Sequence, residues 1–210
     1  MPISDCEVRD PRIRRTRQLL QSSLSALLQN RPFEEISVQE IAESATVNRA
    51  TFYDHYADKY ALLDALIAGG FHKLLHDRQV QFDGSCPPAA ATIILAACDY
   101  LQQIHEQAPC HHGPCSFQAL LDAAMTAAIR RVLLVGMKTY PAQDAVSPEM
   151  RATAVSWAIY GAVKEWFSTP QRPSSQTIVP EILALIMPVL NPAASLAGSP
   201  ALRSSTLHLS

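Results

Sequence analysis

This chain is sparing with charge. Asp, Glu, Lys and Arg make up 17% of its 210 residues, while hydrophobic types make up 48%. That balance excludes wholesale disorder. The two signs nearly cancel, to a formal net charge of −2. The chain is therefore no polycation, and any attraction to nucleic acid must come from a local cluster. The opening, MPISDCEVRD, lacks both the basic leader and the apolar stretch of a signal peptide. No uncharged apolar run is long enough and free enough of proline to span a bilayer. The five cysteines, at 6, 86, 98, 110 and 115, are odd in number and scattered. They argue against a disulfide framework and suit a reducing compartment. The expectation is a cytoplasmic protein with no membrane partner. Strand-like alternation and internal repeats are missing. So are a nucleophile elbow, a phosphate loop, a Rossmann glycine pattern and HExxH, so neither an enzyme nor a cofactor is expected.

What is present is helical spacing. The chain is long enough for one large domain, or for a small domain packed on a larger one. Residues 1–10 read as a flexible arm. Ile13, Leu20, Leu24, Leu27 and Leu28 mark a first helix over 11–30, with Pro11 suited to its first turn. Phe33 and Ile36 read as core plugs in the following turn. Ser37-Val38-Gln39-Glu40 is a capping-box pattern that opens a second helix, short and ending near Ala45. Asn48 caps a third over 49–56, and Asp58 a fourth from 59 to about 82. Further helices are expected over 89–107, from Phe117 to Leu133, and over 149–167 and 177–190. The residues after 191 read as a disordered tail.

Two short capped helices joined by a tight turn form a DNA-reading unit. The order is specific: Ser37, Glu40, Ile41 and Ala42; then Val47; then Asn48-Arg49-Ala50-Thr51-Phe52-Tyr53-Asp54-His55-Tyr56; then Asp58, Lys59, Leu62 and Leu63. Through these residues, positions 12–68 resemble the DNA-binding domain of the tetracycline-repressor (TetR) family of bacterial regulators. The resemblance implies an all-α protein in three parts besides its arm. These are a helix-turn-helix domain over 11–58, a helical ligand-binding and dimerisation domain over 59–191, and the tail over 192–210. It also implies a homodimer, a palindromic double-stranded operator, repression, and release by a small-molecule effector.

By chemistry and by alignment to that motif, Asn48, Arg49, Ala50 and Thr51 open the helix that reaches base edges, with Gln39 a further candidate. Arg49 can pair with guanine O6 and N7, which discriminates by about 1–3 kcal/mol. Ser37, Tyr53, His55 and Lys59 fall where the family contacts phosphates, which position a protein without specifying sequence. Arg9, Arg12, Arg14, Arg15 and Arg17 concentrate positive charge near the first helix. We take Arg14, Arg15 and Arg17 as phosphate contacts; a solvated helix face is the plainer alternative. Thr46 and Ala50 depart from glycines frequent in the family, and Asp54 places an acid where basic or neutral residues are usual.

Past residue 148 the helices carry more apolar surface than one face needs. Val155, Ile159, Tyr160, Val163, Ile182 and Ile186 are expected at a two-fold interface, with burial inside one subunit as the alternative. An effector pocket lined by Phe71, Leu75, Leu101, Phe117, Leu121, Met125 and Trp157 is expected between the fourth helix and those after it; plain core would look the same. Cys110, His111, His112 and Cys115 offer soft-metal donors, which leaves a metal- or thiol-responsive regulator as a second reading. Their spacing matches no zinc ribbon, and an ordinary connecting loop competes with that reading.

Overall fold

The computed structural model describes residues 10–80, 82–83, 86–107, 116–139 and 146–191. Among these, eight α-helices and no strand are found: α1 (Pro11–Leu28), α2 (Val38–Ser44), α3 (Arg49–His55), α4 (Lys59–Asp77), α5 (Pro87–Gln107), α6 (Ser116–Thr139), α7 (Pro148–Ser168) and α8 (Ser175–Leu190). Residues 1–9 of the arm, the tail and the Cys110–Cys115 segment lie outside the described residues.

Local chemistry explains the starts. The side chains of Asp10, Ser37, Asn48, Asp58 and Ser147 each accept a backbone N–H of the first turn that follows. Such a cap is worth about 0.5–2 kcal/mol over alanine. Pro11 and Pro148 each stand at the first helical position, where no N–H is needed.

Two stops differ from expectation: α6 runs past Leu133 to Thr139, and the fourth helix falls short. The fourth helix ends at Asp77, not near Phe82. Gln79 turns left-handed at φ 52°, its N–H donates to the His76 carbonyl, and Val80 N–H donates to the Leu75 carbonyl. This pair of bonds is a Schellman closure, made here without glycine. Val80 gains by it, since the closure turns its side chain back against the core.

Helices α1, α2 and α3 close around Leu20, Leu24, Phe33, Ile36, Ile41 and Phe52, all essentially without solvent contact. Each such side chain contributes about 1.5–3 kcal/mol by burial. The start of α4 adds Leu62 and Leu63 to this core, and its later turns send Ile67, Phe71 and Leu75 toward α5 and α6. Helix α4 therefore packs on both halves of the molecule. Next, α6 lies along α7, and α5 packs on α8. The α4–α5 contact is close: the Tyr100 hydroxyl donates to the Ile67 carbonyl at 3.0 Å, directly over Gly70.

Candidate nucleic-acid interface

The second helix is fixed at its origin. Ser37 Oγ accepts from Glu40 N–H at 3.2 Å, and Glu40 Oε2 accepts from Ser37 N–H at 2.9 Å. The Arg31 guanidinium pairs with the same carboxylate. The Ser37 backbone bond, followed by Arg31, holds the Glu40 carboxyl down at about 2. The turn that follows is a second Schellman closure: Thr46 N–H donates to Glu43 O and Val47 N–H to Ala42 O. Thr46 carries φ 57° there. A β-branched residue adopts this conformation at a cost, which is why glycine is frequent at such a stop.

Phe52, fully buried, anchors α3. On the opposite side Asn48, Arg49, Ala50, Tyr53 and Asp54 are exposed, with Thr51 and His55 half-buried. The Asn48 carboxamide oxygen accepts from both Thr51 N–H (2.7 Å) and Thr51 Oγ1 (3.0 Å). Arg49 lies 5.6 Å from the Tyr53 ring centroid and donates to its hydroxyl at 3.2 Å. The guanidinium is thus held extended along the helix while remaining solvated. Gln39 is exposed beside α3 on α2 and donates to Glu43 at 2.6 Å. Burial first, and then the Arg17 charge, lower the His55 pKa. Both effects favour the uncharged ring, which keeps one N–H able to donate a hydrogen bond.

Three expectations change. Arg14 and Arg15 are exposed, but Arg17 is buried, with only 7% of its surface accessible. Its Nε donates to the Tyr56 hydroxyl at 3.2 Å, and its guanidinium lies 5.0 Å from that ring's centroid. Gln21 donates to the same hydroxyl at 3.0 Å. Arg17 therefore pins α1 to the end of α3 instead of projecting outward, because position 17 shares the inward stripe of Leu20 and Leu24. Tyr56, for which no role beyond its place in the motif was expected, is the residue that gathers this contact. Lys59 also turns inward: its ammonium donates to the carbonyls of Phe33, Glu34 and Ile36. Finally, Val155, Ile159, Tyr160, Val163, Ile182 and Ile186 are buried within the subunit, covered by α5 and α6, not left for a partner. The Tyr160 hydroxyl, for instance, donates to Asp122 on α6 at 2.9 Å.

Phe71, Leu75, Leu101, Phe117, Leu121 and Met125 lie together in the buried core. Trp157 does not line it. This residue is 56% exposed, because position 157 lies two steps of 100° from Val155 and faces away from α6. No cluster of three or more metal-ligating side chains is found among the described residues. Within them Cys98 is buried, and burial pushes its thiol up to about 12, which leaves it inert at neutral pH. No described helix is long and apolar enough to cross a membrane.

A capped short helix, a tight stop and a second helix presenting a solvated arginine define the helix-turn-helix class of DNA-binding proteins. Residues 24–66 match the family of bacterial regulatory proteins, tetR family. That match lies within the N-terminal unit, and the described residues as a whole form an all-helical fold. Over 59 residues the chain is 41% identical to the uncharacterized HTH-type transcriptional regulator YxbF of Bacillus subtilis (strain 168). That match covers 28% of this chain and 16% of the relative's length. The chain shares its fold with RolR in complex with resorcinol, at a TM-score of 0.51 and 18% identity, covering 91% of this chain and 97% of that one. A candidate transcriptional regulator from Pseudomonas aeruginosa PAO1 superposes at a TM-score of 0.53 and 16% identity, covering 92% and 98%.

Proposed function

We propose that the protein is a dimeric, sequence-specific transcriptional regulator that represses from a palindromic operator in the cytoplasm and is released by a small molecule. The observation that carries this reading is the exposed face of α3, with Arg49 held against Tyr53 and Phe52 locked beneath. Arg49, Asn48, Ala50, Thr51 and Gln39 read bases; Arg14, Arg15, Ser37, Tyr53 and His55 hold the phosphate backbone. Two recognition helices about 34 Å apart need a two-fold axis. A surface suited to it runs along α7 and α8, where Met150, Ala154, Trp157, Ala158 and Gly161 join Ala184, Leu185, Pro188 and Val189 on the outside. A Cβ at Gly161 would meet nothing within 4 Å, so a second helix can approach closely there. The occupant we assign is a second copy of the chain, forming a four-helix bundle across the axis. For the effector, the core shared by α4, α5 and α6 is apolar and suits a small apolar compound.

A gel-shift titration with duplex DNA from upstream of the protein's own gene tests the reading. Binding should exceed that to random duplex by at least the factor of about 10³ typical of specific complexes. Equal binding to the two would remove it.

A further inference from the structure

The structure assigns Lys59 a positioning role in DNA recognition: we infer that its ammonium ties the α1–α2 turn to the first residue of α4 and so sets the direction of the helix-turn-helix. The inference rests on the DNA-binding reading above, and departs from the phosphate contact that family resemblance suggests at this position. An ammonium has three donors and no acceptor. Lys59 Nζ lies 2.9 Å from Phe33 O, 3.0 Å from Glu34 O and 2.8 Å from Ile36 O. All three donors are spent. These carbonyls belong to the short 3-10 turn Phe33–Glu35 and to the residue that ends it. Within the turn Glu35 N–H donates to Pro32 O and Ile36 N–H to Phe33 O, and Arg31 donates to Glu35 O at 2.9 Å; the lysine adds three bonds from a separate helix.

The side chain is clamped as well as bonded. Nζ lies 4.8 Å from the Phe33 ring centroid and 5.8 Å from that of Tyr60, and those two rings meet edge-on at 5.3 Å. Burial lowers the Lys59 pKa, as expected of a cation drawn from solvent. A phosphate contact would require at least one of the three carbonyl bonds to be given up. The geometric consequence follows the chain. Ile36 leads directly into Ser37, the cap of α2, and α2 carries α3 through the Thr46 turn. Releasing the tie frees the angle at which α3 is presented, without removing any group that faces DNA.

Two measurements test this. The first uses the free wild-type protein: timed acetylation with acetic anhydride, read by mass spectrometry. Lys59 should label at least tenfold more slowly than the exposed Lys73. Equal rates would overturn the tie, whatever the protein does with DNA. The second measures affinity for the upstream duplex over a range of salt, at a temperature where each variant is fully folded. Lys59→Met should weaken binding tenfold or more while leaving the slope of log K against log salt unchanged. Arg14→Ala, which removes a phosphate contact, should reduce that slope by about 0.9. Lys59→Arg should also weaken binding, since a planar fork does not converge on three carbonyls as an ammonium does. Full affinity in Lys59→Arg, or a slope loss in Lys59→Met equal to that of Arg14→Ala, would refute the positioning role.

Discussion

Thr46 shows what one residue can cost. It holds φ 57° at the stop of α2, where left-handed backbone costs a residue with a Cβ about 1–2 kcal/mol. Glycine removes that strain but adds about 0.5–1 kcal/mol of chain entropy to be lost on folding. Thr46→Gly should therefore stabilise the protein by up to about 1.5 kcal/mol, seen as a higher urea midpoint at unchanged m-value. A lower midpoint would mean the threonine is held by something other than the turn. Glu40 offers a test by pH. Its folded pKa of about 2 lies below the ordinary 4.5, so its contribution is complete above 4.5 and is lost as pH falls toward 2. The stability advantage of wild type over Glu40→Gln should shrink through that window in urea titrations at stepped pH. An advantage constant with pH would show that the carboxylate charge is irrelevant to the cap.

At the scale of elements, α4 is the helix on which both halves meet, and its fit to α5 is tight. A Cβ at Gly70 would stand 2.2 Å from the Tyr100 hydroxyl oxygen and 2.9 Å from the ring carbon that bears it. Alanine gains about 1 kcal/mol of helix propensity over glycine. Against this stand overpacking at about 1–3 kcal/mol and the loss of a buried hydrogen bond to Ile67 at about 1 kcal/mol. The losses exceed the gain, and Gly70→Ala should lower stability by about 1–3 kcal/mol in denaturant unfolding. A stabilised variant would show that α4 and α5 slide past one another freely. The contact of α6 with the N-terminal unit is lighter: Phe117 meets the Phe33 ring at 6.4 Å between centroids, on the turn that Lys59 binds.

For the whole molecule, the dimer proposed above would place assembly on the outer face of α7 and α8, apart from the subunit core. Leu185 is 70% exposed in the subunit, whereas Ile182, three residues earlier on the same helix, is buried. Leu185→Glu should leave subunit stability within about 0.5 kcal/mol, as exposed substitutions do. It should nevertheless shift sedimentation equilibrium from dimer to monomer and weaken binding to the upstream duplex. A dimer of undiminished mass would move the interface elsewhere. Ile182→Glu should instead unfold the subunit, because it buries an unpaired charge.

By itself, the sequence determined the helices, their starts and the DNA-reading unit, because caps, turn residues and the 3.6-residue period act within a few positions of one another. Ser37, Asn48 and Asp58 announce their helices, and Phe52 its buried anchor, with no help from distant residues. Tertiary structure decided the direction of the long side chains and the side of each apolar helix that meets solvent. Arg17 and Lys59 look like DNA contacts in sequence, yet partners 39 residues away at Tyr56 and 26 away at Phe33 turn them inward. Helices α7 and α8 are apolar nearly all round, so their periodicity could not separate Ile159 and Ile182, which α5 and α6 cover, from Trp157 and Leu185, which face outward. A helical period fixes which residues share a face; only the neighbouring helices fix which face is buried.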